Sequence, residues 1–248
     1  DLLLYVQNPG AAIRRIKRLI REDRQYEEQL NYSVKKILAL KYQSELHQYK
    51  PASSFNLVRK FQHQHAKLLQ HRLYASAITV VKNTHSILPI THLEDQNFIS
   101  LSLDDGVSSV FHQYLSRYAV FTSIPLKQLS DTVLIHQQLT KNTTLVAAVS
   151  SRLPNDILEY LEKLQRHYDL ILCHFGSPRE LALFKDFSTV VEAYDPAVME
   201  MLVPQVLFGA RPAYGILPIT AHVTLPAGTS RPLDAMGRLG YGMPEEVG

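Results

Sequence analysis

The sequence predicts an α/β protein built on a doubly wound, mainly parallel sheet of five to six strands, preceded by a separate helical region. Three observations carry that reading. From residue 97 onward, short and nearly continuous apolar runs alternate with helical stretches, the rhythm of parallel strands whose crossover helices cover both faces. Before residue 77 the pattern is helical and basic. The stretch AITVVKNTHSILPI, from Ala77 to Ile90, is the seam, closing the helical part and opening the alternation.

Taken in order, Asp1-Leu2-Leu3-Leu4-Tyr5 reads as an apolar strand with no preceding element to pair with. At the other end the chain stops in mid-phrase at Pro244-Glu245-Glu246-Val247-Gly248, so the polypeptide is expected to be a piece of something larger. Asn8 is a good N-cap with Pro9 at the first helical position, which starts a helix running to about Arg21. A second helix spans about Tyr26 to Tyr42, where Leu30, Val34, Ile37, Leu38 and Lys41 recur at three and four residues and predict one inward stripe. Lys50-Pro51-Ala52-Ser53-Ser54 breaks the pattern, and Phe55 to about Ala75 is polar and helical. Strands follow at Phe98–Leu103, Ala119–Ile124, Thr144–Val149, Leu170–Phe175 and Val190–Tyr194, separated by helices near 107–117, 127–141, 155–167 and 178–185. Asp195 as cap and Pro196 as first residue open a last helix, interrupted by Pro204 and ended by Gly209. The run Pro226-Ala227-Gly228-Thr229-Ser230-Arg231-Pro232 reads as a linker.

Composition narrows the function classes. At 248 residues, 46% hydrophobic and 20% charged, the chain has enough apolar residues for one full core and a satellite. No apolar run approaches the roughly 20 residues that span a bilayer, and no leader with a small-residue cleavage site is present. Cys173 is the only cysteine, which rules out an internal disulfide, and its apolar setting predicts a buried structural thiol. Residues 1–90 hold 15 Lys and Arg against 6 Asp and Glu, a net +9, whereas residues 91–248 hold 11 against 17, a net −6. Arg14, Arg15, Lys17, Arg18 and Arg21 interleave with Ile13, Ile16, Leu19 and Ile20 at helical spacing, so the basic half is read as the solvated face of a helix rather than a nucleic-acid surface.

Zinc ligands on a helix share a face at three or four residues' spacing; His63 and His65 are two apart, and with His71 they predict no metal site. A dinucleotide or phosphate site needs a glycine-rich first strand-to-helix turn, but here that turn is Asp104-Asp105-Gly106, whose carboxylates repel an anion. A phosphate-loop lysine and a Gly-x-Ser-x-Gly elbow are absent, and no cofactor is expected. Ligands of open α/β sheets bind beyond the carboxyl ends of the strands, which makes Ser150, Ser151 and Arg152 after the third strand, and Ser177 and Arg179 after the fourth, the candidate substrate-binding residues. Glu180 is placed to act either as a general acid or as a first-turn carboxylate facing a helix dipole.

The order of the DLLL run, the helices PGAAIRRIKRLI and YSVKKILALKY, then ASAITVVKNTHSILPI, FGSPRELALF and LFGARPAYGILPIT resembles the last part of glycoside hydrolase family 3, over residues 1 to about 225. The resemblance implies a parent with a catalytic (β/α)₈ barrel followed by an α/β sandwich of flavodoxin-like build. In that scheme residues 1–50 are the C-terminal remnant of the barrel, 51–91 a helical connection, 92–228 the sandwich and 229–248 a linker toward a further domain. The family hydrolyses β-linked glycosides with retention, through an aspartate nucleophile on the barrel and a second group as acid/base. That nucleophile's motif does not occur in this chain. The acid/base is a barrel-loop histidine in β-N-acetylhexosaminidase-like members and a second-domain glutamate in β-glucosidase-like ones. FGSPRELALF and FGARPAYGILPIT resemble the former branch, and no glutamate here fits the latter's motif, so no catalytic residue is carried over. Pro204 departs from the family's usual helix before the FG pair.

The tail RPLDAMGRLGYGMPEEVG resembles junctions at which such hydrolases continue into a serine hydrolase of the β-lactamase type. The resemblance therefore implies an exported bacterial protein whose partners are its own barrel, a downstream serine-hydrolase domain and carbohydrate, without nucleic acid or a membrane span. Two other readings stand beside it: a self-sufficient glycan-binding or enzymatic module using the pocket near Arg152 and Arg179, and a flavodoxin-like interaction or nucleotide module that shares only the fold.

Overall fold

The computed structural model describes residues 2–51, 53–61, 64–107 and 109–242. The chain divides into two compact units, residues 1–60 and 61–248.

The first unit is helical. Helix α1 spans Pro9–Glu22; the Asn8 side chain accepts from the Ala11 amide at 2.9 Å, the expected cap. Asp23 ends α1 and caps α2, Arg24–Gln43, accepting from the Gln25 amide at 2.8 Å. A 3₁₀ turn follows at Leu46–Gln48. The stripe expected to face inward does not do so. Leu30, Val34 and Leu38 are 38%, 41% and 57% exposed, and neither helix has a buried residue. Two helices alone give an amphipathic face no second layer to bury against. Leu2–Tyr5 is likewise not a strand. This unit has no strand among its described residues, so the segment has no ladder to join, and Tyr5 sits at φ 55°.

The second unit carries the sheet. The sequence boundary between the units falls within helix α3, Leu57–Phe61; α4, Gln64–Ala77, then precedes six strands: β1 Thr79–Asn83, β2 Asn97–Ser102, β3 Phe121–Pro125, β4 Thr143–Val149, β5 Asp169–His174 and β6 Thr189–Glu192. The order across the sheet is β1-β6-β5-β4-β2-β3, parallel throughout except that β1 runs antiparallel to β6. The sheet therefore takes its first strand from the seam, upstream of residue 92. The remaining helices are α5 Ser109–Leu115, α6 Thr132–Gln138, α7 Asn155–Leu164 and α8 Pro196–Leu207, with a 3₁₀ segment at Pro178–Phe184 where a helix was expected. Asp195 caps α8 by accepting from the Ala197 amide at 2.9 Å, and Gly209 closes it at φ 68°.

Alternation along the strands sorts the core into two layers. One face presents Val80, Phe98, Val146, Ile171, Cys173 and Val191 to Phe111 and Leu115 of α5 and Leu202 and Val203 of α8. The other presents Ile99, Leu145, Ala147, Leu172 and Val190 to Ile135, Ile157, Leu161 and Phe184. All seven residues of β4 are buried, as the parallel reading requires. Asn83 fastens the turn after β1 through both ends of its amide, to Leu88 O at 2.8 Å and from Leu88 N at 3.1 Å.

The segment read as a linker is instead tied down. Arg231 N donates to Val80 O at 2.7 Å, Gly228 N to Leu217 O at 2.8 Å, and Leu233 exchanges both backbone bonds with Ala213. The Val80 carbonyl on the free edge of β1 is satisfied by this segment, and Leu225 and Leu233 are buried.

The contrast between the units is testable. Phe111→Ala, at a fully buried site, is expected to cost about 3–5 kcal/mol in urea denaturation, whereas Leu38→Ala on the open face of α2 is expected to change stability by no more than about 0.5 kcal/mol.

Candidate functional site

The carboxyl ends of β2, β4, β5 and β6 lie side by side, and two clusters of polar residues are built on them.

The first is centred on Asp104, two residues after β2. Its Oδ2 accepts from the amides of Ser150 at 2.7 Å and Ser151 at 2.8 Å and from the Ser151 hydroxyl at 2.9 Å; its Oδ1 accepts from the Gly106 amide at 2.9 Å and the Ser150 hydroxyl at 3.0 Å. Burial works to raise this carboxyl, but the amide and hydroxyl donors outweigh it and hold Asp104 below the usual carboxylate range. Gly106 is required by close approach, since a Cβ there would stand 1.7 Å from Ser150 Oγ. The two carboxylates of the Asp104-Asp105-Gly106 turn thus divide their roles. Asp104 points into the fold, and Asp105 reaches the Lys127 ammonium in an exposed ion pair.

The second cluster is His174, Glu192 and Glu180. His174 ends β5, Glu192 ends β6, and the parallel register makes them direct neighbours. His174 Nδ1 and Glu192 Oε2 are 2.6 Å apart, both side chains fully buried. Glu192 Oε1 accepts from the Tyr194 amide at 2.8 Å. His174 Nε2 lies 3.3 Å from Glu180 Oε2, and Glu180 is 39% exposed, so it connects the buried pair to solvent. Burial alone would lower the imidazole, but the hydrogen bond and charge of Glu192, and then those of Glu180, raise it on balance. Burial raises the Glu192 carboxyl against the pull of His174. Both shifts mean that the folded pair holds its proton more tightly than its unfolded members do. A Cβ on Gly176 would stand 2.9 Å from His174 Nε2 and 3.2 Å from Ser150 O, which places the two clusters against each other.

Of the residues predicted as a site, Ser150 and Ser151 are brought together, but as donors to Asp104. Arg152 and Ser177 are exposed on the two adjoining loops, and Arg179 is exposed on the 3₁₀ segment that follows Ser177. Glu180 sits on a 3₁₀ turn and faces His174 rather than the dipole of a full helix. The Cys173 thiol is fully buried, and burial pushes it well above its usual range, in keeping with a structural role. His63 lies outside the described residues, and among those described no three His, Cys, Asp or Glu side chains converge as metal ligands. Sequence reading missed the His174–Glu192 pair. Its signal was a charged residue closing each of two apolar strands that are buried on both faces, where an unpaired charge is too costly to keep. A concavity of about 330 Å³ opens at the opposite edge of the sheet, lined by residues such as Gln96, Lys141, Thr144 and Asp169, where strands begin rather than end.

Comparison places this architecture among known folds. No family model matches the sequence, and no curated protein matches it. Solved structures do. A fungal multi-domain family 3 β-N-acetylglucosaminidase with a GCN5-related glucosamine N-acetyltransferase region is similar at TM-score 0.51 and 16% identity, over 76% of this chain and 22% of that one. The family 3 β-N-acetylglucosaminidase of Paenibacillus sp. str. FPU-7 is similar at TM-score 0.50 and 18% identity, over 79% of this chain and 40% of that one. A β-glucosidase from Listeria innocua is similar at TM-score 0.54 and 14% identity, over 81% of this chain and 33% of that one. This chain therefore spans less than half the length of each, and at these identities the likeness is one of fold.

Two outcomes follow from the geometry. Asp104→Ala strips several charge-assisted bonds at once and is expected to cost about 2–4 kcal/mol at pH 7 in urea denaturation, whereas Asp104→Asn, which keeps one carbonyl acceptor, is expected to cost less. For His174, the folded value is raised, so its contribution is complete below the unfolded value of about 6.5 and is lost as pH rises through the folded one. Stability should therefore fall as pH rises above the unfolded value of about 6.5; Glu192→Gln should flatten that slope and cost about 3–5 kcal/mol by leaving the imidazole buried without its anion.

Proposed function

We propose that this chain supplies the non-catalytic α/β sandwich domain of a glycoside hydrolase of the family 3 type, whose parent cleaves β-linked N-acetylhexosaminides or glucosides with retention. The observation that carries the proposal is the state of the carboxylates at the carboxyl edge. Retaining hydrolysis needs two groups about 5–5.5 Å apart, one free to attack the anomeric carbon and one free to exchange a proton with the leaving oxygen. Asp104 is saturated by five donors, and Glu192 is buried against His174 and the Tyr194 amide. Glu180, partly exposed, has no second carboxylate free to work with it among these residues. The site is built to hold loops in place, as a supporting domain requires.

The order of the sequence motifs and the shared sheet architecture support the same reading. In it, residues 1–50 belong to the barrel's last strand and helices, and the open faces of α1 and α2 are surfaces that the barrel covers. The exposed loops bearing Arg152, Ser177 and Arg179 are the parts of the sandwich that wall one side of the sugar site. An exported bacterial protein is the setting in which such glycans are met, and the tail's likeness to a junction adds a downstream serine hydrolase to the proposal.

The test compares turnover of chromogenic N-acetyl-β-glucosaminide and β-glucoside by this chain and by one extended upstream through a barrel. Only the extended protein is expected to be active, and the sugar it prefers assigns the branch. Turnover by the present chain alone would overturn the reading.

A further inference from the structure

After Leu233 the chain crosses the face formed by α5 and α8 without helix or strand structure of its own, and the face is shaped to receive it. Met236 N donates to Gly209 O, and the Met236 side chain fills the hollow above Gly209, where a Cβ would stand 2.8 Å from its Cγ. The Arg238 guanidinium enters a nest of three carbonyls, donating to Ile90 O at 2.8 Å, Thr91 O at 2.9 Å and Phe208 O at 3.2 Å. Gln205 is fully buried in α8, and its amide reads the backbone of Tyr241 from both sides: Nε2 donates to Tyr241 O and Oε1 accepts from Tyr241 N, each at 2.9 Å. The same amide is held by Met201 O at 2.9 Å and Arg211 Nε at 3.0 Å, so its orientation is fixed before the segment arrives. Gly240 passes so close that a Cβ would stand 2.9 Å from Gln205 Oε1.

The ring of Tyr241 completes the fit. The Arg117 guanidinium lies 4.4 Å from its centroid and 4.1 Å from that of Tyr114, and Tyr118 meets it edge-on at 5.8 Å. Tyr118 is stacked on Phe208 at 4.8 Å and donates to Leu239 O at 3.1 Å. The Leu239 side chain, by contrast, is 88% exposed and goes unread. A buried amide gripping one residue's N–H and C=O, a three-carbonyl arginine nest and a cation–π slot are the means by which grooves recognise extended peptides: backbone bonds supply affinity and spaced pockets supply specificity.

We propose that the α5–α8 face is a recognition site for an extended peptide of the pattern Arg-x-Gly-Tyr, occupied in this structure by the chain's own Arg238-Leu239-Gly240-Tyr241. The proposal is independent of the glycosidase reading. Because the occupant is tethered, its effective concentration is in the millimolar range, and a peptide added from outside meets a filled groove.

The test uses a fluorescein-labelled peptide with the sequence of residues 234–242, followed by anisotropy on the full chain. The double variant Arg238→Ala, Tyr241→Ala, whose own segment has lost both anchors, is expected to bind the peptide at least about ten-fold more tightly than the wild type. Replacing the peptide's arginine by alanine should lower that affinity at least about ten-fold. Absence of binding by a double variant with wild-type circular dichroism, or equal binding of the arginine-less peptide, would overturn the proposal. Gly240→Ala introduces only the overlap with Gln205, and hydrogen exchange at residues 236–242 should then quicken at least about ten-fold with β2 unchanged. Retained protection there would count equally against it.

Discussion

The carboxylate of Asp104 is the interaction on which the upper edge of this sheet depends. Parallel strands all end in the same direction, and each releases its chain into a connection whose first amides have no ladder partner. Asp104 collects those of Ser150 and Ser151 after β4, together with Gly106 in its own turn, on one group. The loop after β5 then rests on Ser150, and the His174–Glu192 pair completes the row toward β6. A neutral acceptor would satisfy these donors less well, because charge-assisted bonds are roughly twice as strong as neutral ones. Replacing the pair by apolar side chains would leave the Tyr194 amide and the inner edge of Glu180 without partners.

Much of the fold was legible because its signals are local. Asn8 with Pro9 and Asp195 with Pro196 state where helices begin, and apolar runs bounded by polar turns state where β2 to β6 lie. What stayed hidden depends on contacts distant in sequence. The antiparallel pairing of β1 with β6 joins residues more than a hundred positions apart. The run from Pro226 to Pro232 has the composition of a linker, and the backbone bonds to Val80 and Leu217 show why it is held. The same rule explains the error at Leu30, Val34 and Leu38. Their spacing shows that one face of α2 is apolar, but spacing carries no information about what lies opposite.

The site was legible by position and not by role. Reading the strand ends led to Ser150 and Ser151, yet nothing in a serine pair distinguishes a hydroxyl offered to a ligand from one already given to a carboxylate. Asp104 looked unpromising in the sequence, as a repellent in a phosphate turn, and Glu192 lay unremarked inside the expected strand Val190–Tyr194. In the structure these residues organise the edge. A domain whose polar groups there are spent on one another gains a rigid rim.

The pairing of Val80 with Arg231 has a topological consequence. The sheet's first strand and the stretch that leaves it are hydrogen-bonded neighbours on one edge, although about 150 residues separate them. That bond closes a loop of about 150 residues at the sheet's edge, so the edge cannot open without leaving the Val80 carbonyl unpaired.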